Sequence, residues 1–230
     1  MLEQDALKEY IDTLPEEDPM RDLLSPMVID EKGQAFIASI KAGQIPEKYP
    51  YGYEFGYLDD PDNFQQFFQQ SSASFALRQA CQSLCMYAVV DREWTPHLAK
   101  WIGNRRVLEV MAGRGILAKA LSDEGVAITA TDYNTYWEPF HPITEIDARE
   151  AAAESSDDVL LISWPPFEDT AIVDVCNAWG TERPIIFIGE FRGCTGCDKF
   201  FDRFVPREDV YIPLPQFMGI KDNVYIGYWT

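Results

Sequence analysis

Val107-Leu108-Glu109-Val110-Met111-Ala112-Gly113-Arg114-Gly115-Ile116-Leu117-Ala118-Lys119-Ala120-Leu121 is the stretch whose reading decides the fold. Val107, Leu108 and Val110 form a short apolar run interrupted by Glu109. The chain then bends through Gly113 and Gly115, and apolar residues resume at helical spacing at Ile116, Leu117, Ala120 and Leu121. A change of period around a pair of glycines predicts a buried strand, a tight turn and a helix. Glycines permit close backbone approach to a ligand, and a helix start offers unpaired N–H groups. With Ala118 the turn reads Gly-x-Gly-x-x-Ala, the nucleotide-binding bend of a βαβ unit.

The context strengthens this reading. Val126 to Ala130 predicts a second strand, followed closely by Asp132. A carboxylate there is placed to accept hydrogen bonds from the two ribose hydroxyls of an adenosine. The plainer alternative for Asp132 is a capping or loop carboxylate.

These residues resemble the class I S-adenosylmethionine (SAM) dependent methyltransferases. The first motif of that family is an acidic residue followed by Gly-x-Gly-x-Gly, onto which Glu109, Met111, Gly113 and Gly115 fall, with Met111 in place of the first glycine. Asp132 matches the acidic residue ending the second strand, and Ile146-Asp147-Ala148 matches the Asp-Ala motif after the third. Trp164-Pro165-Pro166-Phe167, after Val159 to Ser163, matches the Asn/Asp-Pro-Pro-aromatic motif, with Trp164 in place of Asn or Asp. The resemblance covers Asn104 to Thr230. It implies a Rossmann-like sheet, doubly wound and mostly parallel with an antiparallel last strand, and S-adenosyl-L-methionine as cofactor. It implies donor contacts from Glu109, Met111, Ala112, Gly113 and Gly115 on the first bend. Further donor contacts are implied from Asp132, Tyr133, Asp147, Ala148 and Ser163. The acceptor is implied to sit by Ser163, Trp164, Pro165 and Pro166, which carry the catalytic role. Amino-methylating relatives use the carbonyl oxygen of Asn or Asp before Pro-Pro, and an indole cannot replace it because it only donates.

Two rival functions remain open. A nicotinamide-dependent dehydrogenase shares the glycine bend, but its fingerprint has no need of an acidic residue inside the strand. Glu109 favours the sulfonium donor, since an unpaired buried carboxylate is costly and the family places this group by the donor's ammonium. A non-catalytic binding protein that kept the fold is favoured by Met111 and Trp164.

The chain has 230 residues, enough for a sizeable core, with 47% hydrophobic and 13% aromatic residues. Its 38 acidic against 19 basic residues give a formal charge of −19. Such a surface repels phosphate backbones and carries no basic stripe, so DNA and RNA are disfavoured as substrates. The expected acceptor is a small molecule or a protein side chain. With no apolar run of membrane-spanning length and no targeting segment, a cytoplasmic protein without membrane association is expected. Cys81, Cys85, Cys176, Cys194 and Cys197 are odd in number and unevenly spaced, unlike a disulfide framework. Cys194-Thr195-Gly196-Cys197 has redox or half-zinc spacing, but a helix start is the better reading, and no metal site is expected.

Residues 1–103 lack βα alternation and read as a helical extension packed on the core formed by 104–230. Helices are expected from Leu2 to Leu14 before Pro15, around Phe36 to Ile40, over Asn63 to Phe68 and over Ser74 to Val90. Pro50 to Tyr57 is a tyrosine-rich loop, either a lid over the acceptor or a packed surface loop. Beyond Asp132, strands are expected at Ile143–Ile146, Asp158–Ser163, Pro184–Gly189, Val210–Leu214 and Val224–Trp229. Helices are expected at Ala148–Glu154, Thr170–Trp179 and Lys199–Phe204. Ligands bind outside the carboxyl ends of such strands, where Glu190 also lies. His141 reads either as a base reaching that end or as a packing residue, and Tyr133, Asn134 and Trp137 as flanking groups.

Overall fold

The computed structural model describes residues 4–51, 64–134 and 138–230. The chain opens with helices α1 (Gln4–Thr13) and α2 (Pro19–Leu24), a 3₁₀ turn (Ser25–Met27), and helices α3 (Glu31–Lys41), α4 (Phe64–Ser83) and α5 (Thr95–Ile102). Alternation follows: β1 (Val107–Val110), α6 (Ile116–Asp123), β2 (Ile128–Asp132), β3 (Ile143–Glu145), α7 (Ala148–Glu154), β4 (Val159–Ser163), α8 (Ala171–Trp179) and β5 (Ile185–Gly189). Short α9 (Asp198–Phe201) and strands β6 (Phe204–Pro206) and β7 (Asn223–Trp229) complete the chain.

The sheet order is β3-β2-β1-β4-β5-β7-β6. Strands β1 to β5 pair in parallel, and β7 runs antiparallel to both β5 and β6. The chain winds outward from β1 through β2 to β3, then returns to the other side of β1 for β4 and β5. That is a doubly wound, Rossmann-like sheet, mostly parallel with an antiparallel last strand, as expected from the sequence. Its switch point lies between β1 and β4, where such sheets open a crevice for ligands.

Period-two alternation divides the buried strands between two cores. Val107, Leu161, Ile186 and Ile188 face the first, shared with Phe36, Ile40, Leu77, Trp94 and Leu98 of the helical extension and with Leu117 and Leu121 of α6. Leu108, Val110, Leu160, Ile162, Ile185 and Phe187 face the second, against α7, α8 and α9. By the same alternation, Glu109 points to the first side, towards α6.

Several expected boundaries move. The expected helices at Asn63–Phe68 and Ser74–Val90 are one helix, α4, which stops at Ser83. There the Cys85 N–H donates to Gln82 O and the Met86 N–H to Cys81 O, with Cys85 at φ 63. This is a Schellman ending with cysteine where glycine is usual. The second strand begins at Ile128 rather than Val126, because the Val126 N–H is used on the helix exit at Leu121 O. The helix expected to reach Phe204 ends at Phe201, and Phe204 opens an edge strand instead. Val210–Leu214 forms no strand, since Pro213 and Pro215 remove ladder donors there and β6 already occupies the edge of β7. A Cβ at Gly227 would lie 2.2 Å from Val205 O, so only glycine lets β6 approach β7 at that point. Residues 52–57 of the tyrosine-rich loop lie outside the described residues.

Asp91 ties the helical extension together, joining the segment after α3 to the segment before α5. Its buried carboxylate accepts from the backbone N–H groups of Tyr49 (2.7 Å), Glu93 (2.9 Å) and Trp94 (3.1 Å). Asp91→Ala leaves three donors stranded, and is expected to cost about 3 kcal/mol or more. Urea unfolding monitored by circular dichroism checks this, and a loss below about 1 kcal/mol would contradict the role.

Candidate ligand-binding site

A cavity of about 630 Å³ opens at the carboxyl ends of β1, β2 and β4, within the range of small-molecule sites. The first bend supplies Glu109, Met111, Ala112 and Gly113, and the end of β2 supplies Asp132, Tyr133 and Asn134. Asp147, Ala148 and Arg149 come from the start of α7, and Ser163, Trp164 and Pro166 from the exit of β4. Cys85 to Ala88, the strip leaving α4, form the opposite wall.

The two glycines of the bend do different work. Gly113, at φ +57, has nothing within 4 Å of where a Cβ would stand, and its N–H donates to Asp132 Oδ2 at 2.8 Å. Gly115, at φ +70, lies away from the cavity lining, and a Cβ there would sit 2.8 Å from Ile143 Cδ1. Its task is to begin α6 against β3. Met111 keeps the left-handed backbone of a glycine, at φ 55, while its side chain packs against the second core. The missing first glycine is thus replaced in conformation, at a local cost on the order of 1 kcal/mol.

Of the five described non-glycine residues at positive φ, three border the cavity: Cys85, Met111 and Trp164. Strained backbone gathers at sites where the surrounding structure holds it for a purpose.

Asp132 ends β2 with both oxygens already engaged by backbone, Oδ2 by Gly113 N–H and Oδ1 by Asn134 N–H at 2.9 Å. Each carboxylate oxygen retains a further lone pair, so the group is oriented and still able to accept. Asp147 caps α7 by accepting from Arg149 N–H (2.9 Å) and Glu150 N–H (3.2 Å). Glu109 is the least comfortable group. It is 2% exposed, its Oε2 has no hydrogen-bond partner, and burial pushes its pKa up to about 8. The Ala118 N–H in the first turn of α6 offsets part of that burial, and the charge of Asp132 adds to it.

Trp164 turns its indole away from any acceptor role. Its Nε1–H donates to Asp222 Oδ2 at 2.9 Å, and its ring stacks on Tyr87 with centroids 5.8 Å apart. Asp222 is buried, its Oδ1 has no partner, and burial raises its pKa to about 7. Pro165 is buried outside the lining, where its carbonyl accepts from Gly196 N–H at 3.2 Å, whereas Pro166 borders the cavity. Glu190 also stands outside, accepting from Lys221 N–H at 2.7 Å and from the Cys194 thiol at 2.7 Å. Burial and that carboxylate hold the Cys194 thiol up at about 11, protonated and unreactive, while Cys197 caps α9, in keeping with a helix start. No group of three or more metal-binding side chains occurs among the described residues. His141 packs on Gly115 rather than on the cavity, and Trp137 lies outside the described residues.

The sequence reading missed the Cys85–Ala88 wall, which sat inside an expected helix, and two carboxylates at the start of α8. These are Asp169, which accepts from Ala171 N–H at 2.8 Å, and exposed Asp174. An acidic residue soon after Pro-Pro-Phe was the available signal for Asp169. Among the described residues the lining therefore bears the acidic side chains of Glu109, Asp132, Asp147, Asp169 and Asp174, of which Glu109 is largely protonated at pH 7, against the guanidinium of Arg149. Such a cavity concentrates cations and repels anions.

No protein-family profile matches this chain, and no curated protein matches it in sequence. Solved structures are similar in fold. TehB from Haemophilus influenzae is 12% identical over 59% of this chain and 61% of its own, with a TM-score of 0.40. A Burkholderia thailandensis 1,6-didemethyltoxoflavin-N1-methyltransferase, with bound 1,6-didemethyltoxoflavin and S-adenosylhomocysteine, is 15% identical over 60% of this chain and 78% of its own (TM-score 0.43). A mutant of MtNAS in complex with S-adenosylmethionine is 12% identical over 98% of this chain and 97% of its own (TM-score 0.47). The fold assignment rests on strand order and register, not on these overlaps. No described helix is long and apolar enough to cross a membrane.

The raised pKa of Glu109 has a consequence for stability. Its pKa moves from 4.5 to about 8 on folding, so the folded state holds the proton more tightly between those values. Stability is therefore lost as pH rises from 4.5 to 8, and the loss is constant above. Glu109→Gln removes the ionisation while keeping an acceptor for the Ala118 N–H. Its advantage over the wild type is expected to grow between pH 5 and pH 8.5 by on the order of a few kcal/mol. Thermal melts of both proteins at the two pH values test this; parallel curves would contradict it.

Proposed function

We propose that this chain is a SAM-dependent methyltransferase that moves a methyl group to a small molecule or a protein side chain. The observation that carries the reading is the pair of carboxylates, Glu109 and Asp132, on adjacent strands about the Gly113 bend. One is buried with an unpartnered oxygen, and the other is oriented by two backbone donors. A cationic ligand bearing an ammonium and a ribose fits this donor set.

Asp132 would hold the ribose hydroxyls, and Asp147 and Ala148 would border the base. Glu109 would receive the ammonium, giving up its proton to form a buried ion pair. When bound, the cofactor supplies an activated methyl group on a positively charged sulfur. The chain's part is to orient the donor, exclude water and align the acceptor for in-line displacement, with positioning as the main contribution to rate. The stacked Tyr87–Trp164 pair and Pro166 stand on the β4 side of the switch point, where the acceptor would enter.

A second reading is a binding protein that retains the donor site without transferring methyl groups. It is favoured by the engagement of Trp164 Nε1 with Asp222, which leaves no side-chain carbonyl at the position that amino-methylating relatives use. Donor binding with no transfer to any component of a broad acceptor screen would select it. A nicotinamide-dependent dehydrogenase would instead enhance NADH fluorescence on binding.

Isothermal titration with SAM tests the donor site. Wild type is expected to bind, and Asp132→Ala to bind at least about tenfold more weakly, since hydrogen bonds to a charged group are lost. At pH 7 Glu109 is largely protonated before binding and ionised after it, so binding should release up to one proton. Titrations in buffers of different ionisation enthalpy would reveal that proton, and Glu109→Gln should abolish it. Absence of binding to well-folded wild type would refute the reading.

A further inference from the structure

Resting on that reading, we infer that the acceptor end of the cavity takes an amine, recognised as a cation by the Tyr87–Trp164 aromatic face, with Asp222 as the residue that positions Trp164. Both rings border the cavity and stack at 5.8 Å with an interplanar angle of 25°. Trp164 stands at φ 51, a backbone conformation that a bulky residue adopts only under constraint. The constraint is visible: its N–H donates to Ile188 O at 2.9 Å, and its Nε1–H to Asp222 Oδ2 at 2.9 Å. Asp222 lies 1% exposed at the start of β7 with its other oxygen unpartnered. A carboxyl oxygen accepting from the indole N–H fixes the ring plane and enriches its π system, the source of attraction for a cation.

The charges of the lining point the same way. Asp169, just before α8, and Asp174, in its first turn, enter the cavity beyond Pro166. The one lining guanidinium among the described residues, of Arg149, belongs to α7 beside Asp147, at the end assigned to the adenosine. A carboxylate or phosphate acceptor would therefore enter against Asp169 and Asp174.

The chemistry suits an amine. The amine, bound as its ammonium, first gives up a proton to water and so frees its lone pair; that pair forms the new C–N bond as the C–S bond breaks, and the departing sulfur keeps the C–S bonding pair. Positive charge passes from sulfur to nitrogen within one acidic, aromatic chamber, and the N–H proton of a primary or secondary amine then leaves to water. In this scheme the aromatic face replaces the side-chain carbonyl that Trp164 cannot offer.

The test uses the full chain loaded with S-adenosylhomocysteine, so that the donor half is filled without a sulfonium. Two probes of matched shape are titrated by ligand-observed NMR: benzyltrimethylammonium and its neutral isostere, neopentylbenzene. The ammonium is expected to bind roughly tenfold or more tightly than the isostere. Trp164→Leu should erase that preference while leaving S-adenosylhomocysteine affinity intact, Trp164→Phe should retain part of it, and Asp222→Asn should reduce it. Should Trp164→Leu fail to fold, half-exposed Tyr87 offers Tyr87→Leu for the same measurement. Equal binding of the two probes, or a preference unchanged in the leucine variants, overturns the inference. Failure of S-adenosylhomocysteine to bind wild type instead overturns the donor reading beneath it.

Discussion

A carboxylate closed beneath the first turn of a helix, with one oxygen unpartnered, is the constraint to which the rest of this molecule is arranged. Glu109 sits in the central strand of the sheet, flanked by β2 and β4, almost wholly buried at the floor of the cavity. An isolated charge there would be expelled or neutralised, and the raised pKa records the second outcome. The Ala118 N–H offers partial relief, and a cationic ligand would offer the remainder. The sheet pays for this group with two dry cores on either side, built from continuous apolar strands.

Around that carboxylate, backbone geometry is forced rather than relaxed. Met111 and Trp164 leave their strands in the left-handed region, and Cys85 ends α4 the same way. Each is a position where glycine would be cheaper, and each brings a side chain to the cavity wall. The strain is tolerated because neighbours over-determine it: Asp222 and Ile188 hold Trp164, paired backbone bonds hold Cys85, and the second core holds the Met111 side chain. These contacts orient the cavity wall before any ligand arrives, and such preorganisation lowers the entropy cost of binding.

The helical extension belongs to this arrangement as much as the sheet does. Asp91 ties Tyr49 to the segment before α5, and Ser74 joins α4 to the segment before β7 by accepting from Met218 N–H at 2.9 Å. These links press the strip from Cys85 to Ala88 against the carboxyl ends of the strands. The aromatic face of Tyr87 and Trp164 therefore has one ring from the extension and one from the sheet.

The sequence alone determined the alternation from β1 to β5, because period and glycine placement are local and each buried strand reads as an apolar run. It also determined which carboxylates stand within the first strand and at the end of the second, since Glu109 and Asp132 take their places from strand spacing. What only the tertiary structure decided is who faces whom. The break at Cys85 was hidden because a Schellman ending without glycine leaves no compositional mark. The edge strand moved to Phe204–Pro206 because aromatic packing among Phe187, Phe200, Phe204 and Trp229, not local β preference, selects what lies beside β7. Trp164 reads in sequence as a lost acceptor ligand, and becomes part of a wall only when Asp222 and Tyr87, distant in the chain, close on its two functional groups. Local spacing sets where a side chain starts; long-range partners set what it can do.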